Sequence, residues 1–165
     1  MIRSFALLVV ILAIAAQARG ADDDFASLAE KIRQAEARDP GIPMDLALYA
    51  DQVTYGHNIG EAHTSPAAQL LAGIGPEQDS FKRFVAGRQA KLVRFVASGD
   101  TVVAETEMTG TLPDQTRFDT KTAIFFTIAD GRIVRMELWA DPILGRKFAS
   151  YMEQDPDVIA ARQKK

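Results

Sequence analysis

The chain has 165 residues, 47% of them hydrophobic, with 19 Lys and Arg against 22 Asp and Glu and a net charge of −3. It has no Cys, which excludes disulfides, thiol catalysis, cysteine metal sites and lipid attachment through a cysteine. The mild acidity and the lack of a basic stripe argue against nucleic acid as a partner.

Met1, Ile2 and Arg3 give a short, positively charged start, and Phe5 to Ala16 follows without a charged or strongly polar residue. That run is too short to span a hydrocarbon core of about 30 Å as a helix, and it has the length of the apolar region of a signal peptide. Ala16-Gln17-Ala18 offers a cut before Arg19, and Ala18-Arg19-Gly20 offers one before Ala21. The expected organisation is a signal peptide over residues 1–20 and one domain over 21–165, periplasmic or secreted, with no membrane contact after cleavage. A cut before Arg19 removes one of the 19 basic residues, Arg3, and none of the 22 acidic ones.

Three Asp residues, Asp22 to Asp24, suit a tail or a helix N-terminus. Phe25, Leu28, Ala29, Ile32 and Ala35 recur at helical spacing and predict a helix over Phe25–Arg38, stopped by Asp39-Pro40-Gly41. Met44–Ala50 reads as a second short helix and Val53–Tyr55 as an extended piece. Gly56–Ser65 reads as a loop holding both histidines, His57 and His63. Pro66–Leu71 gives a helical turn or two, broken by Gly73 and Gly75, and Pro76–Ala90 gives a third helix. The period then changes to two. Strands are expected over Lys91–Ser98, Thr101–Leu112, Thr116–Ala129 and Arg132–Ala140, with turns at Gly99-Asp100, Pro113-Asp114 and the hairpin signal Asp130-Gly131. After Asp141-Pro142, the rest is helical only in part, with a frayed lysine-rich end. Helices first and antiparallel strands after predict an α+β fold: helices packed on one face of a curved sheet.

Leu48 to Tyr55 resembles the helix end, acidic turn and strand that open the conserved core of the nuclear-transport-factor-2-like superfamily. Asp130 to Asp141 resembles its final hairpin and strand, and Thr109 to Pro113 the approach to the strand before. The resemblance runs from Phe25 to about Pro142 and is nearest to the SnoaL-like group, which includes polyketide cyclases, ketosteroid isomerase and limonene epoxide hydrolase. It implies a cone, a curved sheet wrapped around helices with a pocket inside, and homodimerisation through a sheet face that carries Arg135, Glu137 and Trp139. The fold hosts enzymes and binding proteins alike, so chemistry must be read from particular residues.

His57 follows Tyr55 and Gly56 at the place where the resemblance puts a catalytic turn. There, His57 would be a general base and Tyr55 a hydrogen-bonding partner, since an imidazole titrates near neutrality. The plain alternative is a loop histidine capping a backbone group. Glu105 and Glu107 share one strand face. Alternation makes that face the solvent one, with Val102, Ala104, Thr106 and Met108 inside. The resemblance instead matches the two Glu to the Arg and Asp of the epoxide hydrolase pair and implies that they are ligand-binding groups facing the pocket. Two acids cannot reproduce that pair, and the third carboxylate of that mechanism falls at Leu138. The ketosteroid isomerase donors are missing as well: the first helix has no Tyr, and the strand acid falls near Ala123 or Ile124.

Trp139 reads as a residue of the pocket mouth or dimer face, or as a half-buried edge aromatic. Asp141 reads as a ligand-binding group or, before Pro142, as a turn former. Arg117 and Asp119 form a solvated pair on a strand. His57, Glu61 and His63 fit no strong metal motif, so neither metal nor cofactor is expected. The expected function is binding of a small, largely apolar molecule in the cone. The alternatives are acid–base catalysis by an isomerase, cyclase or hydratase using His57, and a dimeric interaction module without chemistry.

Overall fold

The computed structural model describes residues 23–58 and 60–163. The expected signal peptide lies outside them. Helix α1 covers 23–38. A single 3-10 turn at Leu46–Leu48 leads into β1 (Tyr49–His57), followed by β2 (His63–Pro66), α2 (Ala67–Phe84) and β3 (Ala86–Ser98). Then come β4 (Thr101–Thr111), β5 (Arg117–Ala129), β6 (Arg132–Trp139), α3 (Pro142–Met152) and α4 (Pro156–Gln163). The six strands form one sheet in the order β2-β1-β6-β5-β4-β3. All neighbours are antiparallel except β1 and β6, which run parallel.

The core lies between one face of this sheet and the helices. Leu28, Ala29 and Ile32 of α1 and Ala67, Leu70, Leu71 and Ile74 of α2 pack against Val53, Val102, Ala104, Ile124, Phe126, Ile133 and Met136. Strand alternation explains which residues meet there: Val102, Ala104 and Thr106 of β4 are buried, while Glu105 and Glu107 stand on the opposite face. Bulges interrupt β3 between Ala86 and Gln89 and between Leu92 and Arg94, and such bulges add twist at a sheet edge. Among the described residues no helix is long and apolar enough to cross a membrane.

Five local expectations differ from the structure. Met44–Ala50 is not a helix. The Asp45 carboxylate accepts from the Ala47 amide at 3.0 Å and supports one turn only. The buried Tyr49 then donates its hydroxyl to the Pro43 carbonyl at 2.6 Å and starts a strand. The histidine loop is shorter than expected because His63–Pro66 pairs with β1. The two helical pieces around Gly73, Gly75 and Pro76 are one helix of 18 residues. Its buried stripe of Ala67, Leu70, Leu71 and Ile74 outweighs the glycine propensities and the amide missing at Pro76. That helix ends earlier, at Phe84, so residues 86–90 belong to β3. The C-terminal segment is two helices, anchored by Val158, which is 1% exposed.

Candidate functional site

The curved sheet and the helices enclose a cavity of about 460 Å³. Its floor is the inner sheet face: Ala90 of β3, Thr106 and Met108 of β4, Thr122 and Ile124 of β5, and Leu138 of β6. Leu70, Ile74 and Phe81 of α2 form one wall, and Phe148, Ala149 and Met152 of α3 lie across the opening. An aromatic cluster fixes that cover. The Phe148 ring meets Phe81 edge-on at 4.6 Å and Phe118 at 5.4 Å between centroids.

Polar groups converge at one end. Tyr55 and His57 alternate with the buried Gly56 on β1, so both side chains line the cavity. Their ring centroids are 6.0 Å apart, and His63 from β2 stands edge-on to Tyr55 at 5.9 Å. Burial, with a smaller contribution from the Glu77 charge, pushes the Tyr55 phenol up to about 12, which keeps it a neutral hydrogen-bond donor at physiological pH. The His57 Nδ1 atom is buried without a hydrogen-bond partner among the described residues. Gly60 is folded over this ring: a Cβ there would lie 2.9 Å from His57 Cε1, so the turn accepts only glycine without a shift. Asn58 closes the end of β1 onto the last strand. Its amide nitrogen donates to the Ala140 carbonyl at 2.8 Å, and its side-chain oxygen accepts from the Ala140 amide at 3.2 Å. Glu77 of α2 also faces this end and is held by Arg162 of α4 at 3.2 Å.

Glu105 and Glu107 lie on the outer sheet face and do not line this cavity. Their register opposite β3 and β5 places them among cations: Lys91 reaches Glu107 at 2.9 Å, and Lys121 reaches both acids, at 3.5 and 3.3 Å. Those lysine contacts hold the Glu107 carboxyl below the ordinary carboxylate range. Trp139 is also outward, 51% exposed and edge-on to Phe125 at 6.3 Å. With Glu105 it borders a shallow outer hollow of about 300 Å³. Asp141 is the N-cap of α3, its carboxylate accepting from the Ile143 and Leu144 amides at 2.8 and 3.0 Å. The Arg135 Nε atom donates to Glu137 at 2.6 Å on the outer face.

Two charged residues of the interior were not anticipated. Glu36 is wholly buried, and burial pushes its carboxyl up to about 8 against the opposing hydrogen bond from Gly41. Its spacing of four from Ile32 and eight from Leu28 is the signal that could have found it. Arg88 lines the cavity at the end away from His57, a position hidden when residues 76–90 are read as helix.

The SnoaL-like domain family model matches residues 35–136, more than half of the chain. The chain belongs to the SnoaL-like domain family. No curated protein matches this SnoaL-like protein. Solved structures share its fold. An NTF2-like protein of unknown function from Burkholderia pseudomallei K96243 is 17% identical, with a TM-score of 0.54 over 76% of this chain and 96% of that one. A steroid delta-isomerase from Pseudomonas aeruginosa is 17% identical, with a TM-score of 0.54 over 79% and 90%. An NTF2-like protein from Burkholderia thailandensis E264 is 18% identical, with a TM-score of 0.54 over 76% and 96%. At these identities the likeness concerns the fold of the SnoaL-like protein and not its chemistry.

Proposed function

We propose that this SnoaL-like protein binds a small, largely apolar molecule inside the cone. The observation that carries this reading is the cavity itself: about 460 Å³, walled by Leu70, Ile74, Phe81, Met108, Ile124, Leu138 and Phe148, with polar groups gathered at its ends. This volume is ordinary for a ligand site, and apolar walls with a few convergent polar groups are what such sites use for affinity and orientation. The protein would act as an exported homodimer, with the outer sheet face of Arg135, Glu137 and Trp139 as the contact. Titration with the uncharged dye Nile red tests the cavity. One dye per chain is expected, with blue-shifted emission. Ala149→Trp, which fills the space beneath α3, should weaken binding at least about tenfold with an unchanged far-ultraviolet spectrum. Equal binding by both proteins would place the dye elsewhere and end this reading.

A second reading, acid–base catalysis, is favoured by one specific feature: the Nδ1 of His57, buried without a partner among the described residues, beside the neutral hydroxyl of Tyr55. Tyr55 would donate to a ligand carbonyl or hydroxyl while His57 takes or returns a proton. A ligand that the protein converts should be left unconverted by His57→Ala, with stability within about 1 kcal/mol of the parent. Undiminished turnover in that variant would exclude His57 as the base.

A further inference from the structure

Arg88 is out of balance with its surroundings. It sits at the start of β3, its side chain is 19% exposed, and it lines the cavity. A guanidinium carries five N–H donors. Here the contacts are long: NH2 donates to the Pro40 carbonyl at 3.4 Å, and NH2 lies 3.9 Å from the Asp39 carboxylate. Its Nε is buried without a hydrogen-bond partner among the described residues. The cation is also 5.9 Å from the centre of the Phe81 ring, which favours a positive charge but satisfies no N–H.

Asp39 does not restore the balance. Its other oxygen is held by Lys82 at 2.5 Å, and that lysine lines the same end of the cavity. Two cations therefore share one carboxylate. Glu36 adds no compensating charge at neutral pH, since its carboxyl is pushed up to about 8. A half-buried cation with unfilled donors is costly unless an acceptor completes it, and a carboxylate matches the guanidinium fork with two parallel hydrogen bonds.

We propose that this end of the cavity is a carboxylate subsite, in which Arg88 receives the acid group of an otherwise apolar ligand whose far end approaches Tyr55 and His57. The proposal rests on the reading that the cone binds a ligand, and it names the ligand's class: an aliphatic or fused-ring monocarboxylic acid. Geometry sets its length. Arg88 is on β3 and His57 on β1, with β4, β5 and β6 between them. Four inter-strand steps give a contour of about 19 Å, and the curvature of the sheet makes the direct span shorter. The inner face along that path is Ala90, Met108, Thr106, Thr122, Ile124 and Leu138, apolar but for two threonine hydroxyls.

Calorimetric titration with decanoate and with 1-decanol, at pH 7 and low salt, tests this. The parent protein should bind decanoate at least about tenfold more tightly than decanol. Arg88→Met keeps an apolar stem and removes the charge, so it should erase that preference and bring the affinities for acid and alcohol together. Asp39→Asn removes the competing carboxylate and should tighten decanoate binding several-fold. It leaves Arg88 in place, so the question stays decidable if Arg88→Met does not fold. Equal affinity of the parent for acid and alcohol overturns the subsite, as does a preference that survives Arg88→Met. So does failure to take up decanoate while Nile red is bound. In those cases the cone remains a ligand site; failure to bind Nile red as well removes both readings.

Discussion

Among the described residues Glu36 accepts one hydrogen bond, from the Gly41 amide at 3.2 Å, and its other carboxylate oxygen is buried without a partner. Burial therefore favours its protonated form, and the nearby Asp39 charge adds to the effect. In acid, below the ordinary carboxylate range, folded and unfolded chains both hold this proton and no penalty arises. As the pH rises towards about 8 the unfolded chain releases the proton first, so the folded state loses up to about 1.4 kcal/mol per pH unit. Glu36→Gln should remove this slope and raise stability at pH 8 on the order of 2–4 kcal/mol. Urea melts of both proteins at pH 5 and pH 8 check it, and parallel pH dependence would refute it. Glu36 also shows where a sequence becomes hard to read. Its place on the apolar stripe of α1 is visible, but its burial depends on the 39–45 segment folding across it, and no periodicity encodes that. Tyr55 and His57 are the opposite case: strand parity suffices to put both on one face. Glu105 and Glu107 follow the same rule, and alternation placed them outside.

At the level of elements, the strands announced themselves through alternation and turn chemistry. Asp130 and Gly131 have φ of 50° and 66°, the left-handed pair that a tight hairpin requires. The helices were harder. Pro76 reads as a start signal, yet α2 passes through it because packing against the sheet outweighs the lost amide. A helix started at Pro76 runs on to Ala90 in the sequence pattern, whereas α2 ends at Phe84 and Arg88 belongs to β3. The C-terminal segment reads as helical only in part, and of its two helices α3 has no buried residue of its own. What holds them is specific. Arg83 of α2 donates to Asp155, between α3 and α4, at 2.6 Å. Asp155→Ala should loosen both helices over the cavity while leaving the sheet intact. Hydrogen exchange is expected to quicken in 142–163 alone, and Nile red should dissociate about tenfold faster. Unchanged exchange there would mean that Val158 and Phe148 suffice.

For the whole molecule, the apolar run at Phe5 to Ala16 makes the expected exported product begin near Arg19 or Ala21. Intact mass of material from the periplasm or medium checks this, and a full-length product recovered with membranes would contradict it. Light scattering at micromolar concentration should give twice the chain mass. Trp139→Glu, at the outer face, should halve it, and a parent protein that is already monomeric would exclude the dimer.

The parallel pairing of β1 with β6 has a consequence for how the chain folds. Tyr55 lies beside Met136, so the opening strand of the sheet has no long-range neighbour until the closing one has emerged. Strands β3 to β6 can zip together as successive hairpins, each closed by a short turn. The β1–β2 hairpin must wait and close a loop of about 80 residues, an entropic demand that slows folding. A protein wired in this way reaches its native state only after synthesis of the whole strand set.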